Sequence, residues 1–193
     1  LEFAGYVSFF PTVVSGPIKR YPDYVRDARS AHRRPAVEDV AYGIWRIALG
    51  VFRKFVVADT VGVLTVPLLE AQVGTPLLVV AVYAYAFKIY FDFAGYSDIA
   101  IGSARLFGFT IIENFDGPYL RRNLSEFWRC WHASLTRFIT EYIYIPLGGN
   151  RRGTVRVVVN TLVAMALSGL WHGAAGHFVA WGLWHGVGLV ALR

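Results

Sequence analysis

The sequence predicts an all-α, polytopic helical membrane protein, and three observations carry that reading. Only 17% of its 193 residues are charged, where a soluble domain usually carries about 25%. Too little polar surface exists to cover a soluble globule, and the mean hydropathy of +0.44 agrees. Residues 157–192 contain no Asp, Glu, Lys or Arg, and neither do residues 71–87. Finally, Lys and Arg number 19 against 13 Asp and Glu. Such an excess suits nucleic-acid binding or the basic loops of a membrane protein. The apolar background decides for the second, so no nucleic-acid partner is expected. The Val-rich stretches belong to helices, because an open sheet edge in lipid leaves backbone groups unpaired.

Taken in chain order, residues 1–17 are apolar but carry Pro11 and Pro17, which predicts a broken or re-entrant piece. Residues 19–34 form a basic connector. Arg46, Arg53 and Lys54 interrupt residues 39–69, which suits a tilted or partly interfacial helix better than a clean span. The apolar run 71–87 continues into Lys88 and Asp92, whose i, i+4 spacing lets them face each other. That pair faces either the protein interior or the membrane interface. Further on, Asn123 and Glu126 have capping-box spacing, and Trp128, Trp131, Leu135, Phe138, Ile139 and Tyr142 follow at helical intervals. One helix from 123 to 142 is therefore expected, with His132 on its inward row and Arg137 and Glu141 paired on the other side. Pro146 and Gly148-Gly149 end it. As a straight helix, residues 157–192 would span roughly 54 Å, too long for a hydrocarbon core of about 30 Å. The cluster Gly173-Ala174-Ala175-Gly176 is the natural break, giving helices at about 155–172 and 177–192. The absence of an initiating Met and the stop at Arg193 directly after an apolar run read as a domain fragment truncated at both ends.

The single cysteine, Cys130, excludes an internal disulfide framework and provides no metal cluster. The chemistry rests instead on three histidines in apolar surroundings, each directly after a tryptophan: His132, His172 and His185. Imidazole is costly to keep in lipid, and intramembrane ionisable groups mark function by default. His172 ends its helix beside small residues, where a substrate can approach closely. There a neutral imidazole serves as general base for an attacking hydroxyl; an interfacial Trp-His anchor is the competing account. His32 sits in a basic stretch with Arg33 and Arg34 and reads as solvated.

The motif order then adds a resemblance. Residues 91–98 (FDFAGYSD), 113–115 (ENF), 127–135 (FWRCWHASL), 144–151 (YIPLGGNR), 168–174 (SGLWHGA) and 181–186 (WGLWHG) follow in that sequence. Together they closely resemble the membrane-bound O-acyltransferase family, with Phe9-Phe10-Pro11 and Ser15-Gly16-Pro17-Ile18 as a further shared element. The FDFAGYS and Trp-His-x-Ser elements are shared with the D-alanyl transfer branch of teichoic acid, whereas residues 144–151 look like the alginate O-acetyltransferase branch. Lys88 departs from that branch, which more often has glutamine there.

The resemblance implies a helical membrane body with a central funnel or tunnel, in the inner or plasma membrane. It implies transfer of an acetyl group from acetyl-CoA or a similar thioester to polysaccharide hydroxyls, directly or through a periplasmic relay protein. No tightly bound cofactor is expected. The family's two signature histidines map onto His132 and His172: His172 as base or acyl relay, His132 orienting the acceptor or polarising the thioester. Asp92, Asp98 and His185 are supporting candidates, and Lys19, Arg20, Arg151 and Arg152 are candidates for the donor's phosphates. Two other classes use the same residue types. A proton-conducting transporter leaves the Trp-His elements without a purpose, and bis-histidine haem ligation predicts a Soret band.

Overall fold

The computed structural model describes residues 1–30, 35–71 and 73–193; His32, Arg33 and Arg34 lie outside the described residues. Those described are mostly helical, with no β-strand beyond an isolated antiparallel bridge between Phe115 and Trp131. They form two compact units, Leu1–Glu113 and Asn114–Arg193.

The first unit opens on two short helices, α1 (Glu2–Val7) and α2 (Phe10–Val13), the broken segment that Pro11 and Pro17 predict. The basic stretch after it is not a plain connector, because residues Tyr21–Ser30 form helix α3. Its charges are mutually satisfied: Asp23 pairs with Arg20 at 3.0 Å and with Arg26 at 3.1 Å. Lys19, a candidate for donor phosphate, is buried, and its Nζ donates to Asp27 at 2.8 Å and to the Thr110 carbonyl at 2.7 Å. Asp27 also accepts from the Thr110 N–H at 3.0 Å. Burial would raise the Asp27 pKa, but the Lys19 ammonium and the Thr110 amide together hold it below the ordinary carboxylate value. Around this ion pair Tyr24 stacks on Phe109 at 5.2 Å, in a cluster with Ile101, Ala104 and Ile111.

Residues 37–70 are continuously helical, as α4 (Val37–Val51), a π-helical stretch (Phe52–Ala58) and α5 (Asp59–Glu70). They pack against α6 (Thr75–Leu106), which is long and apolar enough to cross a membrane. The charges that interrupt the apolar pattern make this pairing. Arg46 and Arg53 each reach Asp98 at 2.5 Å, and Arg46 also grips Glu113 through both guanidinium nitrogens at 2.6 and 2.8 Å. Lys88 meets Asp92 at 3.3 Å, as their spacing predicts, and Lys54 joins them at 2.8 Å from Asp92 and 3.0 Å from Asp59.

Between these ion pairs the backbones touch. A Cβ on Gly50 would lie 2.5 Å from the Gly95 carbonyl, and one on Gly102 would lie 2.5 Å from the Gly43 carbonyl. Small residues let the helices approach closely where apolar burial alone gives little drive.

The second unit contains α7 (Leu124–Cys130), α8 (Ala133–Ile139), a π-helical turn (Thr140–Tyr144), α9 (Gly153–His172) and α10 (Gly176–Ala191). The break at residues 173–175 falls where the small-residue cluster predicts it. Helix α9 is also long and apolar enough to span a membrane. The expected single helix over 123–142 is two helices, opened at Trp131 and His132.

The first unit fixes the expected stability of several variants. Gly50→Leu in the full-length protein lowers stability by about 2 kcal/mol through overpacking, read as thermal unfolding in detergent. Gly74→Ala, where a Cβ meets nothing nearer than 3.9 Å, leaves it within about 0.5 kcal/mol. Lys19→Met takes from the buried Asp27 carboxylate its nearer cation, leaving Arg26 at 3.3 Å, and costs about 3 kcal/mol, part of which Lys19→Met with Asp27→Leu recovers in the same assay.

Candidate active site

The second unit is built around a helix that starts as its sequence dictates and then stops early. Asn123 Oδ1 accepts from the Glu126 N–H at 2.9 Å, and the Glu126 carboxylate accepts from Asn123 Nδ2 at 3.0 Å and from the Arg122 N–H at 3.2 Å. This reciprocal cap launches α7. After Cys130 the backbone leaves the helix: Trp131 is extended, at φ −104° and ψ 121°, and His132 is left-handed, at φ 46° and ψ 51°. Helix α8 begins again at once, the His132 carbonyl accepting from the Leu135 and Thr136 amides at 3.0 and 3.1 Å. Thr136 Oγ1 bridges back to the Trp128 carbonyl at 3.0 Å. The Arg137–Glu141 pair forms at 2.9 Å, and the chain turns at Gly148 and Gly149, both at positive φ.

Among non-glycine residues described, His132 is the one with positive φ. A left-handed backbone is uncommon for such residues, although His is among those enriched there. Strained positions of this kind gather at functional sites. The side chain is 4% exposed, so it points inward as expected, although from a bend rather than from a helix face. Burial, and then the nearby positive charge that His172 would carry, push its pKa down to about 4. His132 is therefore a neutral imidazole at pH 7.

An aromatic cluster gathers the three Trp-following histidines. The His132 ring meets Trp171 edge-on at 5.9 Å; Trp171 lies 5.0 Å from the His172 ring. His172 meets Trp181 at 5.3 Å, and Trp181 meets His185 at 4.9 Å. Trp128 closes the group at 5.2 Å from His185 and 5.7 Å from Trp181. His132 is buried, His185 half-buried and His172 exposed at the end of α9. The tryptophans contributing most are Trp128, Trp171 and Trp181, so two of them, Trp128 and Trp181, come from outside the Trp-His pairs 131–132, 171–172 and 184–185. Periodicity marked Trp128 only as a helix-face residue, and Trp181 stood out only within its motif. His177, against Phe178 at 4.3 Å, is exposed.

A cavity of about 390 Å³ lies in the same unit, lined by Trp128, Leu135, Thr136, Met165, Ser168 and Leu189 among others. Neither His132 nor His172 lines it. His185 lines a second cavity of about 270 Å³ with Leu124 and Trp184. Its buried Nδ1 has no hydrogen-bond partner among the described residues. Of the other expected residues, Asp92 and Asp98 belong to the first unit, where cations engage both. Arg20 is paired with Asp23, while Arg151 and Arg152 are exposed ahead of α9.

The model of the membrane-bound O-acyltransferase family matches residues 1–192. A probable alginate O-acetylase of Pseudomonas aeruginosa is 40% identical over all of the chain and 37% of its own length. A peptidoglycan O-acetyltransferase of Helicobacter pylori is 36% identical, again over all of the chain and 37% of its own length. A teichoic acid D-alanyltransferase of Streptococcus thermophilus is 34% identical over 98% of the chain and 49% of its own length. The chain spans less than half the length of each of these relatives.

The depressed His132 pKa has a measurable consequence. In the unfolded chain this imidazole takes its proton near pH 6.5, and in the folded chain near 4. Its contribution to stability is therefore complete above pH 6.5 and declines as the pH falls from there toward 4. By pH 5 the loss is about 2 kcal/mol. His132→Asn, which tolerates the left-handed backbone, removes this slope. Thermal unfolding of the full-length protein in detergent at pH 7.5 and pH 5 reads it as a smaller drop for the variant than for the wild type.

Proposed function

Since the chain belongs to the membrane-bound O-acyltransferase family, we propose that the whole protein is a multi-pass inner-membrane O-acetyltransferase acting on a polysaccharide. The acetyl group comes from acetyl-CoA or a similar thioester and goes to hydroxyls of an exopolysaccharide or cell-envelope glycan such as alginate, directly or through a periplasmic relay protein. The names of the relatives and the YIPLGGNR block at residues 144–151 favour an alginate-like acceptor. Helices α6 and α9 are the spans this reading needs first, with α10 as the second of the two membrane helices that the uncharged run 157–192 predicts. A funnel through the complete helical body would bring donor and acceptor together.

The observation that carries the reading is the aromatic cluster, which sets a buried imidazole and an exposed one on either side of Trp171. His172, open at the helix end, takes the proton of the acceptor hydroxyl as its oxygen attacks the thioester carbonyl. The new ester C–O bond forms, the C–S bond breaks, and the departing thiolate receives that proton, which returns His172 to its neutral form. His132, buried and neutral, orients the acceptor or polarises the carbonyl from the facing bend. Water-poor surroundings strengthen both contacts and limit hydrolysis of the thioester. Asp92 and Asp98 hold α6 to its neighbours in this scheme.

The test is the acetyl content of polysaccharide from cells carrying the full-length gene as wild type, His172→Ala or His132→Ala. Loss of the base lowers transfer by roughly a hundredfold or more, so acetylation by the His172 variant is close to nil while its membrane abundance is unchanged. Undiminished acetylation in that variant refutes the catalytic assignment.

A further inference from the structure

The bend at His132 is held open by a segment that precedes it in sequence. Opening a helix frees amides and carbonyls that need other partners. Residues 114–116 provide them. The Asn114 carbonyl accepts from the Ala133 N–H at 3.0 Å, and the Asp116 N–H donates to the Cys130 carbonyl at 3.1 Å. Phe115 pairs with Trp131 as an isolated antiparallel bridge, with their rings edge-on at 5.1 Å. The Asn114 side chain completes the set: its Oδ1 accepts from both the N–H and the Oγ of Ser134, at 3.1 and 2.9 Å. Asn114 is 0% exposed and Ser134 2%. Contacts to residues 130, 131, 133 and 134 thus bracket His132 on both sides.

We infer that Asn114 is the positioning residue of this site: by clamping Ala133 and Ser134 it fixes the left-handed backbone at His132 and so aims the imidazole. The residue type suits the task. A buried side chain has to accept two hydrogen bonds through one oxygen, and the Asn amide does so without adding a charge, unlike Asp. Ser134 owes its place in the Trp-His-x-Ser element to the same clamp, as donor of both bonds. The catalytic part of this inference rests on the role proposed for His132, whereas the clamp itself rests on the hydrogen bonds alone.

The experiment separates the two. Full-length wild type, Asn114→Ala, Ser134→Ala and His132→Ala are compared in isolated membranes. Transfer from labelled acetyl-CoA is measured, along with the rate at which diethylpyrocarbonate modifies each histidine, read by peptide mass spectrometry. Asn114→Ala lowers the transfer rate roughly ten- to a hundredfold with the KM for acetyl-CoA unchanged. It raises modification of His132 several-fold while His172 and His185 react as in the wild type. Ser134→Ala, a milder change that keeps the backbone bond to Asn114, raises His132 modification in the same selective way and decides the matter should Asn114→Ala fail to accumulate. An unaltered His132 reactivity in these variants, or an equal rise at all three histidines, overturns the clamp. Wild-type transfer by Asn114→Ala overturns the positioning role. Full transfer by His132→Ala, with a selective rise of His132 modification in Asn114→Ala, sinks the catalytic reading and leaves the clamp standing.

Discussion

Every amide and carbonyl released from a helix inside an apolar body must find another partner, and the site around His132 is organised by that requirement. An unpaired buried peptide group costs free energy comparable to a lost hydrogen bond, and in lipid the cost is several kcal/mol. The helix that starts at Asn123 cannot open at Trp131 unless something else meets the freed groups. Residues 114–116 do so, in register, with two backbone bonds flanking the Phe115–Trp131 bridge and the two bonds that Asn114 Oδ1 accepts from Ser134. In exchange, His132 leaves the helix face and sits at the junction of two short helices, with its ring against Trp171.

The same requirement shapes the first unit through charge. Arg46, Arg53 and Lys54 lie on residues 37–70, and each finds a carboxylate on α6, with Arg46 also taking Glu113. Of these the Arg46–Asp98 pair is buried on both sides, where a pair adds little net stability over apolar contacts yet is costly to break, so its clearest effect is on register. Arg46 and Arg53 stand seven apart and converge on one carboxylate, Asp98. The glycine contacts at Gly43 with Gly102 and at Gly50 with Gly95 repeat at the same spacing. A slip of the two helices would break an ion pair and drive a side chain into a backbone together.

What was legible in the sequence was local, and what was not depended on distant partners. The capping box at Asn123, the i, i+4 pairs at Lys88 and Arg137, the proline-broken opening and the small-residue turn before Gly176 each follow from residues within a few positions. The bend at His132 does not. Trp128, Leu135, Ile139 and Tyr142 keep helical spacing across it, so periodicity alone predicts one helix. Only Asn114, on a different segment, reveals why it opens. Lys19 looked like a loop cation for the same reason: its partners include the carbonyl of Thr110, far along the chain. The arginines at 46 and 53 read as interruptions of a span until Asp98 was placed beside them. At the site, the Trp-His pairs identified the histidines, but the intervening rings of Trp128 and Trp181 come from the way α7, α9 and α10 pack.

The contrast between the two signature imidazoles bears directly on the division of labour proposed for them. A base that strips a proton from an incoming hydroxyl must meet the acceptor and later release that proton to a leaving thiolate. His172 ends α9 exposed, beside residues with little or no side chain. His132 has the opposite setting: it is shut away from solvent, its backbone is fixed on both sides, and an aromatic face bounds its ring. Charging it there is unfavourable, so it is poorly suited to carry a proton through the reaction. A neutral ring held rigidly is well suited to direct a hydrogen bond. Rigidity at one histidine and access at the other are therefore complementary demands, and the helix break with its Asn114 clamp is the feature that separates them.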